Sequence, residues 1–160
     1  MELLVVISII ALLLGIIVPS YFSIQDKARY TKAKVTAKNL ETAFKAYLDH
    51  YRTWPGKMNK EDETYEIKDD IFKLLRERLD DSNNKDGIAF YEFEGTNSDN
   101  GALDPWSEPA DSTTWQTYRV RVDGNYNNKI DELKLHRAVI VWSVGADRTN
   151  ETSDDARSWD

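Results

Sequence analysis

The sequence predicts an α+β protein: one long N-terminal helix packed on a small antiparallel sheet. Three observations predict it. Leu3 to Val18 reads LLVVISIIALLLGIIV, an apolar run broken only by Ser8 and Gly15. Gln25 to Tyr51 contains no Gly or Pro and repeats apolar residues at steps of three and four, the period of a helix with one apolar stripe. The strand-like segments all lie C-terminal to it, so a sheet built from them has that stripe to cover. The 160 residues divide into an apolar segment, 1–24, and a head, 25–160. The head comprises a helix half at 25–51, a connecting α/β stretch at 52–86, and a sheet with a C-terminal loop at 87–160.

The N-terminal run is sixteen residues, roughly 24 Å as helix. Extending it through Pro19 to Phe22 reaches the length that about 30 Å of hydrocarbon requires. A buried core helix would keep a polar face, and this run has none. A cleavable secretory signal would place basic residues first and a small-x-small site after. No basic residue precedes Gln25, and the run leaves through Pro-Ser-Tyr-Phe into helix-forming sequence. The segment therefore reads as a retained membrane or filament-core helix. Glu2 is its odd residue. A carboxylate in mid-bilayer costs roughly 2.5–3.5 kcal/mol on insertion scales, so it calls for a cationic partner on a neighbouring copy. Pro19 lacks an N–H and disturbs the preceding turn, and Gly15 adds freedom four residues earlier. A weak point is expected between them, either a kink or a segment that melts locally in a packed filament.

The second helix half carries its stripe at Ala33, Ala37, Leu40, Phe44, Tyr47, Leu48 and Tyr51. Lys27, Arg29, Lys32, Lys34 and Lys38 dominate the rest of its early turns. They read first as a solvated face and second, because they follow the apolar run directly, as a contact for lipid headgroups. Trp54-Pro55-Gly56 stops the helix. Asp69 to Leu79 is a shorter amphipathic helix with Ile71, Leu74, Leu75 and Leu79 on one face. Asp80 to Gly87 is a turn. Ile88 to Phe93 is a candidate strand, Thr114 to Val122 an alternating half-buried strand, and Arg137 to Ser143 a more buried one.

Composition narrows the chemistry. The net charge is −7, from 21 Lys plus Arg against 28 Asp plus Glu, the wrong sign for gripping nucleic acid by its phosphates. With no Cys there is no disulfide, thiol nucleophile or cysteine-held metal. Two histidines, His50 and His136, make a histidine metal centre improbable, and His136 beside a strand reads as structural. The sequence holds no G-x-S-x-G, P-loop or H-E-x-x-H motif. The paired acids Asp80 and Asp81 fall in a turn, whereas a glycosidase pair needs two carboxylates aimed into a cleft.

The residues at both ends carry a resemblance. Glu2-Leu3-Leu4-Val5-Val6-Ile7-Ser8-Ile9-Ile10-Ala11, with Pro19 downstream, resembles the start of type IV pilins and of the major pseudopilins of type II secretion systems. Tyr51-Arg52-Thr53-Trp54-Pro55 resembles the pseudopilin pattern after the long helix. Leu103-Asp104-Pro105-Trp106 is similar to an Asp-Pro-Trp-Gly motif. Ser143-Val144-Gly145-Ala146-Asp147, with Asp154-Asp155 and Trp159, resembles the C-terminal loop of that family. The resemblance implies a leader removed by a prepilin peptidase, with that leader and the first mature residues missing before Met1. It implies that Glu2 neutralises the N-terminal amine of an adjacent subunit during assembly. It also implies that the C-terminal loop binds Ca²⁺, with Asp147 and Asp154 as carboxylate ligands and the Val144 carbonyl as a third. Asp155, Ser143 and Thr149 are weaker candidates. Trp106 and Trp159 would be core aromatics pinning the loop. Arg148 and Ala156 depart from the family's Gly and Ile.

Hard oxygen ligands suit Ca²⁺, and a seventeen-residue tail with little apolar content needs some tie other than burial. The alternative is a solvated acidic tail. A second acidic loop, Asp123 to Asp131, echoes an EF-hand pattern. Asn128 stands where Gly is wanted, and the twelfth position is Lys134 rather than Glu, so a hairpin turn is the simpler reading.

The function expected is a structural subunit of a filament, most like a major pseudopilin. Its partners would be copies of itself, minor pseudopilins, the inner-membrane assembly machinery, and membrane lipid before assembly. The expected location is a bacterial inner membrane, then a periplasmic or extracellular filament. The main subunit of a surface pilus for adhesion or motility is the nearest alternative. A monomeric membrane-anchored enzyme or binding domain is the alternative of another class.

Overall fold

A computed structural model describes residues 2–56, 58, 60, 63–76, 84–93, 101–108, 115–130 and 133–160. Helix α1 runs unbroken over Glu2–Tyr51, 50 residues, or about 75 Å. Only its second half enters the fold. Ala33, Ala37, Leu40, Phe44 and Tyr47 are fully buried, at the steps of four and three that the sequence predicts. Leu48 and Tyr51, read as part of the same stripe, are half-buried at its end. The helix stops at Arg52, whose φ of 58° lets its N–H reach the Leu48 carbonyl at 2.8 Å, a left-handed cap. The Trp54 indole N–H then donates to the Asp123 carbonyl at 2.8 Å, tying the helix exit to the far end of the sheet.

Against that stripe lies an antiparallel sheet of four strands in sequential order: β1 (Thr64–Glu66), β2 (Arg119–Val122), β3 (Val139–Ser143) and β4 (Ala156–Arg157). This is the expected α+β arrangement. Strand β3 is buried at all five positions because each of its faces meets a different cluster. Val139 and Val141 point into the main core with Leu40, Phe44, Trp54, Phe72, Tyr118 and Val120. Ile140 and Trp142 point the other way, onto Ile130, Val144 and Trp159. The period-2 alternation of a strand thus explains why this segment reads as a continuous apolar run.

Helix α2 (Asp69–Arg76) closes one end of the core with Phe72, Leu74 and Leu75. Residues 77–79 of the expected helix, and Asp80 and Asp81, lie outside the described residues. Ile88 to Phe93 is not the strand expected. Its Phe90 and Tyr91 N–H groups both donate to the Leu75 carbonyl, at 2.8 and 3.0 Å, so they cap the end of α2 instead of joining a ladder. The aromatic rings that suggested a strand pack on the core: Phe90 sits 5.1 Å from Tyr47, and Phe93 4.2 Å from Phe72. The 114–122 strand is shorter than expected, because Gln116 is taken up by Ser107 and the ladder begins at Arg119. Strands β1 and β4, three and two residues long, are too short to leave a period in sequence. Gly15 and Pro19 both lie within the continuous helix α1 of the single chain.

Phe44 joins α1 to the sheet, so Phe44→Ala is expected to lower head stability by about 3–5 kcal/mol. Urea unfolding of the detergent-solubilised chain, followed by tryptophan fluorescence, checks this. A loss below about 1 kcal/mol would mean that the helix is not what the sheet folds on.

Candidate assembly surface and C-terminal loop

Among the described residues, no other element covers the first half of α1. Every described side chain from Leu3 to Ile24 is exposed, Leu3 at 77% and Val18 still at 48%. Among the described residues, one helix is long and apolar enough to cross a membrane, and its apolar window is 0% buried. An apolar surface of this size marks contact with lipid or protein. Two of its three serines satisfy themselves on the helix: Ser8 Oγ donates to the Val5 carbonyl at 2.7 Å and Ser20 Oγ to the Ile16 carbonyl at 3.0 Å. Neither presents an unpaired hydroxyl to an apolar medium. The backbone has one gap. Pro19 has no N–H, so the Gly15 carbonyl lacks its i+4 donor. Nothing comes within 4 Å of a Cβ built on Gly15, which leaves that turn open to a close neighbour. Glu2 sits in the first turn, where a carboxylate also complements the helix dipole.

The C-terminal loop is held by carboxylates. Asp104 is its buried anchor, 4% exposed. Its Oδ1 accepts the Trp106 and Ser107 N–H groups and the Ser107 hydroxyl at 3.0–3.2 Å, and its Oδ2 accepts the Ser143 hydroxyl at 2.8 Å. Burial pushes this carboxyl above the usual range, against those four hydrogen bonds, which lower it. The Asp-Pro-Trp motif is therefore an aspartate-capped turn pinned to the end of β3. Trp106 and Trp159 are half-buried and not the core aromatics expected. The pinning is done by the buried carboxylate, while Trp159 packs edge-on against Trp142 at 5.9 Å on the outer side of the sheet.

Ser143 Oγ in turn accepts the Gly145 N–H at 3.2 Å. Asp154 folds back onto that glycine. Its Oδ2 accepts the Asp147 N–H at 3.1 Å, and its Oδ1 the Thr152 hydroxyl at 2.6 Å. Burial raises the Asp154 carboxyl, but these donors outweigh it and hold it below the ordinary value. Asp147 Oδ1 accepts the Thr149 N–H at 2.7 Å. Asp155 is nearly buried and is taken up by the Arg157 guanidinium at 3.2 Å and the Glu151 N–H at 2.9 Å. Arg148 has φ 60°, the left-handed conformation in which Gly is cheapest. That accounts for a Gly at this position in the pattern the loop resembles.

Of the calcium candidates, Asp147 and Asp154 share one loop; Asp147 is exposed, while both carboxylate oxygens of Asp154 accept hydrogen bonds within the loop. Asp155 and Ser143 are engaged by Arg157 and Asp104. The Val144 side chain is buried, leaving only its carbonyl as a donor. Among the described residues, no three acidic or histidine side chains gather around one point. The Asp123 loop ties itself. Asp123 is buried, and its carboxylate accepts the Asn127 N–H at 3.2 Å and the Asn128 N–H. Asn128 takes φ 60°, a conformation Asn tolerates.

Two buried groups had no signal in the sequence. Asn84, 0% exposed, accepts from the Tyr51 hydroxyl at 2.7 Å and the Ile88 N–H at 3.1 Å, and donates to the Leu74 carbonyl at 3.1 Å. It joins the ends of both helices. Glu41, 5% exposed, pairs with Lys45 and with Arg137 at 3.1 Å. Each looks like an ordinary polar residue until the tertiary fold surrounds it.

Comparison with protein-family models, curated proteins and solved structures finds no match to this chain.

Gly145 has φ 71°, and a Cβ there would meet the Asp154 carbonyl oxygen and Oδ2 at 2.5 Å. Gly145→Ala is expected to open the loop and cost about 1–3 kcal/mol. Hydrogen exchange over residues 145–155 checks it. Unchanged protection would show that the loop closes without this contact.

Proposed function

We propose that the chain is a structural subunit that polymerises through its apolar helix into a type IV pilus-like filament, most like the major pseudopilin of a type II secretion system. The observation that carries the reading is the fully exposed apolar half of α1, continuous with a half that is locked into the head. Such a helix needs an apolar surround at every position. Lipid supplies it before assembly and copies of the same helix supply it afterwards. Side-by-side packing would bury the aliphatic faces of Leu3 to Val18, Gly15 would allow close approach, and Glu2 would pair with a cation of the adjacent copy. The acidic heads would coat the outside. Minor pseudopilins, a prepilin peptidase and an inner-membrane assembly machine are the partners this reading implies, in a bacterial inner membrane and then a periplasmic or extracellular filament. The subunit of a surface pilus would use the same helix, and the symmetry and length of the filament separate the two.

Calcium belongs to the same proposal. Asp147 and Asp154 would hold it, with the Val144 carbonyl, and the ion would supply charge neutralisation to a loop closed by hydrogen bonds and the Arg157–Asp155 ion pair.

Glu2→Ala is expected to abolish filaments, as seen by electron microscopy of membrane-sheared material, while the head keeps its unfolding profile. Filaments at normal yield from that variant would defeat the assembly role and leave a monomeric anchored domain. EGTA is expected to lower the melting temperature of the detergent-solubilised chain relative to millimolar calcium, and Asp147→Ala to remove most of the difference. Identical melting in both conditions would exclude the calcium site.

A further inference from the structure

Between the apolar run and the head lies a short stretch of α1 whose charge is opposite to that of the rest of the molecule. Residues 25–40 hold five cations against the single carboxylate of Asp26, a net +4, whereas residues 41–160 carry sixteen cations and 26 carboxylates, a net −10. We propose that Lys27, Arg29, Lys32 and Lys34 form a collar that binds the anionic headgroups of the leaflet on the head's side, selecting anionic lipid around the unassembled subunit. The proposal rests on the membrane residence of α1 and adds a lipid class to it.

Position is the first argument. The helix is continuous, so its rise fixes depth. Leu3 to Ile24 spans about 33 Å, matching the hydrocarbon thickness. Lys27 and Arg29 then stand about 5 and 8 Å beyond the hydrocarbon edge, in the headgroup layer. Lys32 and Lys34 follow at about 12 and 15 Å, where a surface potential screened over about 8–10 Å still reaches side chains that can bend back. Tyr21 and Phe22, exposed and edge-to-face at 6.0 Å, lie at that same boundary, where aromatic rings anchor helices.

The second argument is the direction in which the cations point. At 100° per residue, Lys27 and Lys34 fall within about 20° of each other, while Arg29 and Lys32 lie about 140–160° round the helix. Lys27, Arg29 and Lys32 are exposed and Lys34 half-buried. Lys27 and Lys32 also border a cleft between α1 and Phe72, Phe93 and Leu103 of the head, and full burial begins at Ala33. Cations on opposite sides of one helix suit a medium that surrounds it. Each cation near an anionic surface contributes about 1 kcal/mol.

The test uses the full chain reconstituted into bilayers of phosphatidylcholine with phosphatidylglycerol, with spin-labelled forms of both lipids as probes. Electron paramagnetic resonance reads the relative association of each lipid with the protein. The expected result is a several-fold preference for phosphatidylglycerol. It should fall to near unity in 0.5 M NaCl, and in a variant carrying Lys27→Gln, Arg29→Gln, Lys32→Gln and Lys34→Gln. Since these side chains lie on the stalk, the variant's unfolding profile should match the unchanged chain. Equal association of the two lipids by a chain that resists alkaline carbonate extraction would overturn the collar while leaving the anchor intact. A preference that persists in the variant would overturn it too. Loss of the chain in carbonate would remove both readings. If the variant instead alters only self-association, measured by cross-linking in the same bilayers, the collar meets a second copy's acidic head and the lipid proposal fails.

Discussion

One constraint governs this molecule: a single unbroken helix must live in two media. From Leu3 to Ile24 α1 has no polar face, and from Ala33 to Tyr47 it has one apolar stripe and a wet remainder. Among the described residues, no element covers the first half, so its apolar surface is left to other surroundings. The second half is the floor on which the sheet is laid. Helical continuity couples the two, so whatever orients the apolar half also orients the head, with no flexible joint to absorb the difference. The missing hydrogen bond at Gly15, left by Pro19, lies wholly inside the apolar half and leaves that coupling intact.

The head is arranged so that its short strands are enough. Strands β1 and β4 contribute three and two residues, too few to hold a sheet by their ladders. Stability comes instead from β3, buried on both faces between α1 and the outer cluster of Ile130, Trp142 and Val144, and from polar ties at the sheet's ends. Asp104 and Ser143 join the turn before β2 to the end of β3, and the Val141 N–H reaches the Ser158 hydroxyl at 3.1 Å. These bonds are shielded from water, where one is worth more and breaking one leaves a costly unpaired group.

The legible part of the fold was the part that repeats. The apolar run, the 3–4 stripe from Ala33 to Tyr47 and the buried strand at 139–143 all depend on residue period, and all were visible. The aromatic stretch 88–93 misled because ring-rich extended chain has the composition of a strand, yet its N–H groups serve the Leu75 carbonyl. Asp104 was visible as part of a motif, but its role as the buried anchor was not, since that depends on Ser143 from thirty-nine residues away. Asn84 and Glu41 had no signal, because a buried polar residue is recognised only by what the fold places around it. In the C-terminal loop, the acids were legible as a group. What each of them does was not, since Arg157 takes Asp155 and Asp154 folds back on Gly145 while Asp147 stays exposed.

The charge partition bears on how such subunits could associate. Net charges of −10 beyond residue 40 and +4 just below it mean that neighbouring heads repel when level with one another. At a screening length of about 8–10 Å that repulsion acts mainly between surfaces in contact. Attraction in the proposed filament must therefore come from the apolar helices, and a stagger along the axis that sets one subunit's acidic head beside another's collar relieves the repulsion. The collar would then serve two media in succession, as the helix does. Before assembly it faces anionic headgroups, and leaving the membrane forfeits that attraction, at about 1 kcal/mol per cation. Extraction becomes favourable only when helix packing and neighbouring carboxylates together exceed that loss. On the proposed reading, a lone subunit would be held in the bilayer and its release tied to the arrival of a neighbour.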